Sequence, residues 1–433
     1  MTGIAGSPAH HLGDRLRPVL DTTIGGVLRD AAEHDAATVA LVEGTPDPSR
    51  GRRWTFGELL AESERAARAL LGRFAPGERV AICGPNSPEW LLVEFGAALA
   101  GIALVPLNPA LGAPELAHLL NRSRAQGIVM AAGHRGSDPV DTLAHVRTRL
   151  PQLREVVSLA DWADFAASGS ATERLPEVRP DDPAQIHFTP RTAGPPKGAV
   201  LRHRGLTNSA RFWMELMQAG PGDVWVNPMS LHAMAGCVLV TLGAVQGRFA
   251  HVLPPGFDPG LMLRLIESER GTMFGGTPRM LLAQLDHPDF RHRDLSFVRS
   301  ALAGGAAVPP AVVRRVESAL DAPLSMVFGR TEASPCVTQT RPDDSPTDRA
   351  ETLGRPHPQV EVRIADPRTG ETVPAGTAGE ILTRGYHVMT GYADDPEATA
   401  AAIDAAGWLH TGVLGSMDER GYCRIDDPRG AER

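Results

Sequence analysis

The chain is nearly without lysine. Of its 43 lysine and arginine residues, only Lys197 is a lysine. Arginine has taken the positions where a generic positive charge serves. The two side chains differ where a compact, mobile point charge must reach a small target, so Lys197 is the first candidate for a functional residue. The alternative is a solvated loop lysine left by chance. Cysteine is scarce too: Cys83, Cys237, Cys336 and Cys423 are far apart and lack CxxC spacing. That excludes a zinc cluster or a disulfide scaffold and fits a reducing cytoplasm. Basic charge is not in excess: the formal net charge is −8. No basic stripe is present, so nucleic acid is not an expected partner. No signal-type apolar run opens the sequence. The most apolar stretch, WLLVEFGAALAGIALVPL from Trp90, is interrupted by Glu94, two glycines and a late proline. It reads as a buried helix running into a buried strand, so no membrane span is expected.

What is present is an alternation of short apolar runs with longer helical patterns. ERVAIC, IALVPL and QGIVMAA read as strands, and EWLLVEFGAALAG and PELAHLLNRS as helices. Such alternation predicts an α/β fold, a mainly parallel sheet covered by helices. The polar, proline-containing stretch ERLPEVRPDD (173–182) predicts a subdomain linker. A second α/β unit follows through HVLPP, LMLRLIESER and TMFGG. After Arg341 the texture turns β-rich, with EVRIADPRTGETVPAG as a hairpin and GEILTRG as a strand.

Three short motifs carry chemistry. In HFTPRTAGPPKGAV, a strand leads through Thr189, Thr192 and Gly194 to Lys197. Hydroxyls, small residues and a mobile cation on a turn suit a polyphosphate. It is not a Walker A loop, because Gly198 stands where that motif needs Ser or Thr. LAGGAAVPP places paired glycines after a strand, allowing close backbone approach to a flat ligand; a tight turn is the plainer alternative. VFGRTEASP offers Phe328 to stack on a base, Thr331 to meet a phosphate and Glu332 to hold Mg²⁺, which takes only one or two protein carboxylates when nucleotide-bound. A surface turn capped by Thr and Glu is the alternative there.

The order and spacing of these motifs, followed by GWLHTG, resemble the adenylate-forming superfamily, and within it the fatty-acyl-CoA ligases. WTFGELL, PPGFDP, GTPRMLL, ETLGRP, TRGYHVMTGY and DDPEATAAAI support the likeness, which runs from about Thr23 to Tyr422. The resemblance implies a large N-terminal portion of two helix-flanked α/β subdomains plus a small β-barrel subdomain. The expected boundaries are an N-terminal extension at 1–22, α/β subdomains at 23–178 and 179–345, a β-rich subdomain at 346–425 and a hinge remnant at 426–433. It implies ATP and Mg²⁺ as cofactors, a small-molecule carboxylate or acyl thioester as ligand, and a CoA or carrier-protein thiol as acceptor. Thr189, Arg191, Thr192, Gly194 and Lys197 would meet phosphates. Gly305, Ala306, Phe328 and Gly329 would frame the adenine, Thr331 would face the phosphate, and Glu332 would be the metal ligand. His232 would gate the acyl and thiol sites. Met234, Gly236, Phe274, Gly275 and Gly276 would line an apolar acyl pocket, with ordinary core packing as the alternative.

The departures are equally specific. The family loop reads approximately YTSGTTGxPKG; Pro190, Arg191 and Ala193 replace Ser, Gly and Thr. Val413 stands where the family's HTGD motif has an aspartate for the ribose hydroxyls. Charge-assisted hydrogen bonds of that kind are worth about 1.5–3 kcal/mol each. PLFHTAG aligns on SLHAMAG, so His232 lies one residue early and Ala233 takes the usual histidine position. The family's hinge arginine aligns with Pro428, and the family's C-terminal domain, with its charge-stabilising lysine, is expected to be absent or supplied in trans. Losing one preorganised donor at a reacting centre costs about 10²–10³ in rate. Two readings follow: an AMP-forming acid–thiol ligase, or a repurposed relative that binds an acyl, acyl-CoA or acyl-carrier ligand without adenylation. A third makes Lys197 a nucleophile.

Overall fold

The computed structural model describes residues 7–131, 138–189, 195–305 and 308–426. Three sheets organise it. A seven-stranded sheet has the spatial order Gly391–Tyr392, Gly198–Arg202, Pro183–Phe188, Ala103–Leu107, Arg79–Cys83, Gly127–Met130 and Glu155–Ser158. Its far five strands pair in parallel, while Gly198–Arg202 is antiparallel to both neighbours. The expected strands and helices of the first unit fall within this sheet and its cover. The Trp90 stretch is the helix Pro88–Leu99 followed by the strand Ala103–Leu107. Ser87 caps that helix by accepting from the Trp90 N–H, and every residue of the helix except Glu89 is buried. A helix apolar on all sides belongs inside a large core. It packs against Phe56–Leu71, which starts at a capping box of Thr55 and Glu58.

The nine-stranded sheet carries the second unit. Its central strands Val224–Val226, Ala250–Leu253, Met273–Gly276, Ser300–Ala303 and Leu324–Phe328 are all parallel. Asp258 and Thr277 cap the helices Pro259–Ser268 and Pro278–Leu285 that cover it. The sheets do not follow contiguous segments. Val39–Glu43 and Arg53–Thr55 join the nine-stranded sheet, and Gly391–Tyr392 joins the seven-stranded one. The positions 179 and 346 therefore divide the sequence without dividing the sheets.

The third sheet, antiparallel throughout, is ordered His10–Leu12, Glu361–Ala365, Gly379–Arg384, Leu409–Met417 and Cys423–Ile425. The hairpin expected over EVRIADPRTGETVPAG is only begun: Ala365 bridges Thr372, and Val373 N–H reaches Ile364 O. The reason is competition for the edge. One side of Glu361–Ala365 pairs with Gly379–Arg384 and the other with His10–Leu12. Among the described residues, no helix is long and apolar enough to cross a membrane.

Candidate functional site

The strands Pro183–Phe188 and Gly198–Arg202 form an antiparallel pair, with Phe188 opposite Gly198. The motif loop joins them. Its base is closed twice: Thr189 N–H donates to Lys197 O at 2.9 Å, and Lys197 N–H donates to Thr189 Oγ1 at 3.1 Å. The backbone of Lys197 is thus fixed by the hydroxyl singled out beside it. Arg191, Thr192 and Gly194 lie outside the described residues, as do Pro190, Ala193, Ala306 and Pro428.

The Lys197 ammonium sits over the Tyr392 ring, 5.1 Å from its centroid. Tyr392 pairs with Ala199, two residues after the lysine. Its hydroxyl donates to Glu332 Oε1 at 2.6 Å. Glu332 is buried on a short 3₁₀ turn, Thr331–Ala333, which follows the strand Leu324–Phe328. Its backbone carbonyl accepts from Met389 N–H at 2.9 Å, and its Oε2 lies 4.0 Å from Arg330 Nε. The lysine of one motif and the glutamate of another, 135 positions apart in sequence, therefore meet at the two sides of one tyrosine. Burial, then the Glu332 carboxylate, pushes the Tyr392 phenol well above its ordinary range. It stays a protonated donor at any ordinary pH. Next to Tyr392 opens a surface cavity of about 530 Å³, with Thr390, Asp394 and Asp395 on its walls. Arg122 pairs with Asp395 at 2.5 Å, and Arg124 with Asp394.

Phe328 is buried and packs with Ala333 and Val337. Gly329 has no room for a side chain, since a Cβ would stand 1.5 Å from Pro335 O. Gly305 is exposed at φ +77° with open space beside it, a left-handed conformation that favours glycine. Met234 and Phe274 are buried in different apolar clusters. A Cβ on Gly275 would meet Leu302 O, one on Gly276 the Met280 side chain, and one on Gly236 the Ser230 carbonyl. All three glycines are closely packed on the side a Cβ would occupy.

His232 is half-buried on a turn, close enough to His187 to disfavour protonation there. His187 belongs to a buried polar chain that motif reasoning missed. Gln185 Nε2 donates to Glu94 Oε1 at 2.7 Å, and Gln185 Oε1 lies 2.7 Å from His187 Nε2. The Cys237 thiol stands 3.9 Å from the same histidine nitrogen. Burial raises the Glu94 carboxyl well above the usual range and, with His232, lowers His187 to about 3. The available signals were Glu94 inside an apolar helix and the polar alternation of Gln185 and His187 within a strand. Tyr392 gave no signal beyond its place in TRGYHVMTGY.

Val413 faces the core of the five-stranded sheet. Thr411, Gly412 and Val413 bulge opposite Ile381, with Gly412 at φ +71°. Glu380 fastens the bulge by accepting from Gly412 N–H at 2.9 Å and pairing with His410 at 3.0 Å. Val413 is completely buried in the cluster that holds Val360, Ile364 and Ile381.

Residues 28–393 match the family model described as AMP-binding enzyme. The chain belongs to that family. A propanoyl:CoA ligase of Mycobacterium tuberculosis, acting on a 7a-methyl-1,5-dioxo-octahydroindenyl acid by its name, is 37% identical over 93% of this chain and 80% of its own length. The human mitochondrial medium-chain acyl-CoA ligase ACSF2 is 31% identical over 93% of this chain and 70% of its own. The crystal structure of the N-terminal domain of FACL13 from Mycobacterium tuberculosis superposes with a TM-score of 0.85 at 26% identity, covering 94% of this chain and 100% of that domain. The AMP-binding family and the acyl-CoA ligase relatives uphold the resemblance seen in the motifs, and the α/β fold with it. ATP, Mg²⁺ and CoA are the general requirements of such enzymes.

Proposed function

We propose that this AMP-binding protein is an acid–thiol ligase that forms an acyl-adenylate at the Lys197–Glu332 site. The supporting observation is the convergence of Lys197 and Glu332 on Tyr392 from separate motifs. Lys197 neutralises the phosphate oxygens of ATP, with Thr189 holding its backbone and Thr331 facing the same phosphates. The substrate carboxylate attacks the α-phosphorus and pyrophosphate leaves. A thiol of CoA or of a carrier protein then attacks the acyl carbon and AMP leaves. Gly305, Phe328 and Gly329 frame the base. The acid enters past His232, with Met234, Gly236, Phe274, Gly275 and Gly276 on the acyl side. The relatives' names point to a medium-sized, largely apolar acid.

The donor set fits Mg²⁺. Among the described residues no group of three or more His, Cys, Asp or Glu could hold a metal alone. Glu332 supplies one buried carboxylate, as expected for an ion carried mainly by phosphates. When bound, the ion would neutralise charge on the phosphates. A second reading, an acyl-binding relative that does not adenylate, is favoured by Val413, which offers no acceptor for ribose and is buried away from solvent.

Calorimetric titration of Mg-ATP into the wild-type protein and Lys197→Ala separates the two. The ligase reading expects binding that the substitution weakens by about tenfold or more, the worth of a charge-assisted contact. Absence of binding up to millimolar ATP would leave the acyl-binding reading.

A further inference from the structure

The ligase reading gives Tyr392 no task, yet Tyr392 touches both of its charged groups. One face of the ring carries the Lys197 ammonium, and the hydroxyl at its edge holds Glu332 Oε1. The other carboxylate oxygen has the Arg330 guanidinium 4.0 Å away. A buried carboxylate does not stay between donors at random. With the phenol removed, Glu332 would turn onto the arginine, because the nearest remaining cation offers the best pairing in a poorly solvated place. The phenol therefore keeps the carboxylate from turning further onto Arg330, whose guanidinium pairs loosely with the other oxygen. It leaves lone pairs on both oxygens, since one hydrogen bond uses a single acceptor position. Its own strand position is fixed by pairing with Ala199 and by the bond from its N–H to Thr399 Oγ1 at 2.8 Å.

We propose that Tyr392 is a positioning residue that presets Glu332 for the metal and Lys197 for the phosphates, holding the two charges at a fixed separation before nucleotide arrives. The inference rests on the ligase reading of the same site. It divides the tyrosine into two separable parts. The hydroxyl serves the metal side through Glu332, and the ring serves the phosphate side through Lys197. Holding a group in its productive geometry beforehand removes the cost of ordering it during binding.

The test is calorimetric titration of ATP with and without Mg²⁺ into wild-type protein, Tyr392→Phe and Tyr392→Leu, with melting temperatures to confirm folding. Tyr392→Phe keeps the ring and removes the hydroxyl. It is expected to cut the Mg²⁺-dependent gain in ATP affinity by about tenfold, the scale of one hydrogen bond to a charged group. Metal-free affinity should stay within about twofold, since the cation–ring contact remains. Tyr392→Leu should lower the metal-free affinity as well. If Tyr392→Phe leaves the Mg²⁺ dependence intact, or weakens both conditions equally, the tyrosine is merely structural and the inference is overturned alone. If the wild-type protein binds no ATP under either condition, the ligase reading is overturned and this inference with it.

Discussion

Two polar groupings share the strand Pro183–Phe188 and its hairpin, and they treat charge in opposite ways. At the loop end, Lys197 and Glu332 each find a partner in Tyr392, the ammonium over its ring and the carboxylate at its hydroxyl. Inside the sheet, Glu94, Gln185, His187 and Cys237 are buried, and burial extinguishes charge: the carboxyl is held protonated and the imidazole neutral. Solvation decides between them. A charge inside protein survives only when it is paired and hydrogen-bonded. The inner chain is therefore part of the core, and the outer group is the one proposed to meet a polyphosphate.

Acid should break this comparison most strongly. His187, His251, His357 and His387 are held near 3 and His203 near 4 by burial, against an ordinary 6.5. The unfolded chain takes up protons below 6.5 that the folded one refuses. Stability is thus fully present above 6.5 and is lost as pH falls from there towards about 3. Well inside that window each histidine contributes a slope of about 1.4 kcal/mol per pH unit. Urea unfolding at stepped pH should show the midpoint falling steeply below 6.5, with a shallower fall in His187→Gln. A midpoint flat to pH 4 would contradict the neutral inner chain.

The next effect in size concerns Gln185. Gln185→Leu orphans both Glu94 and His187, and should cost about 2–4 kcal/mol from two unsatisfied buried groups. Mg-ATP affinity should change little, because the outer group is untouched. Denaturant midpoints together with a binding titration check both halves; a lost nucleotide site with intact stability would join the two groupings into one.

Glu94→Gln should give the smallest effect, and in the stabilising direction. A carboxyl whose folded pKa is raised adds stability below its unfolded value, near 4.5, that disappears as pH climbs through the folded one. The neutral isostere removes that loss, so a gain of about 1 kcal/mol is expected at pH 8 and none at pH 4. Melting temperatures at the two pH values measure it.

Much of this was legible in the sequence for identifiable reasons. Short apolar runs flanked by capped helices gave the α/β architecture, because period and capping are local. The lone lysine and the Thr331–Glu332 pair stood out by chemistry. Tyr392 did not, since its position depends on a two-residue strand that adds to a sheet built some 200 residues earlier in sequence. The expected acyl glycines carry a divided signal: glycine marks both close ligand approach and close packing, and Leu302, Met280 and Ser230 stand close to these three. Val413 was read from its place in a motif, whereas the bulge at Gly412 determines where its side chain goes.

The edge strand Gly391–Tyr392 also sets an order of events during synthesis. The sheet it joins can be assembled through Arg202 while the rest of the chain is still being made, because its other strands are all encoded by then. Glu332 arrives much later and the tyrosine later still. Until residue 392 emerges, the lysine faces an unfinished pocket and the glutamate has no phenol to hold it. A nascent chain is thus kept from joining Lys197 and Glu332 through Tyr392 until nearly all of its core exists.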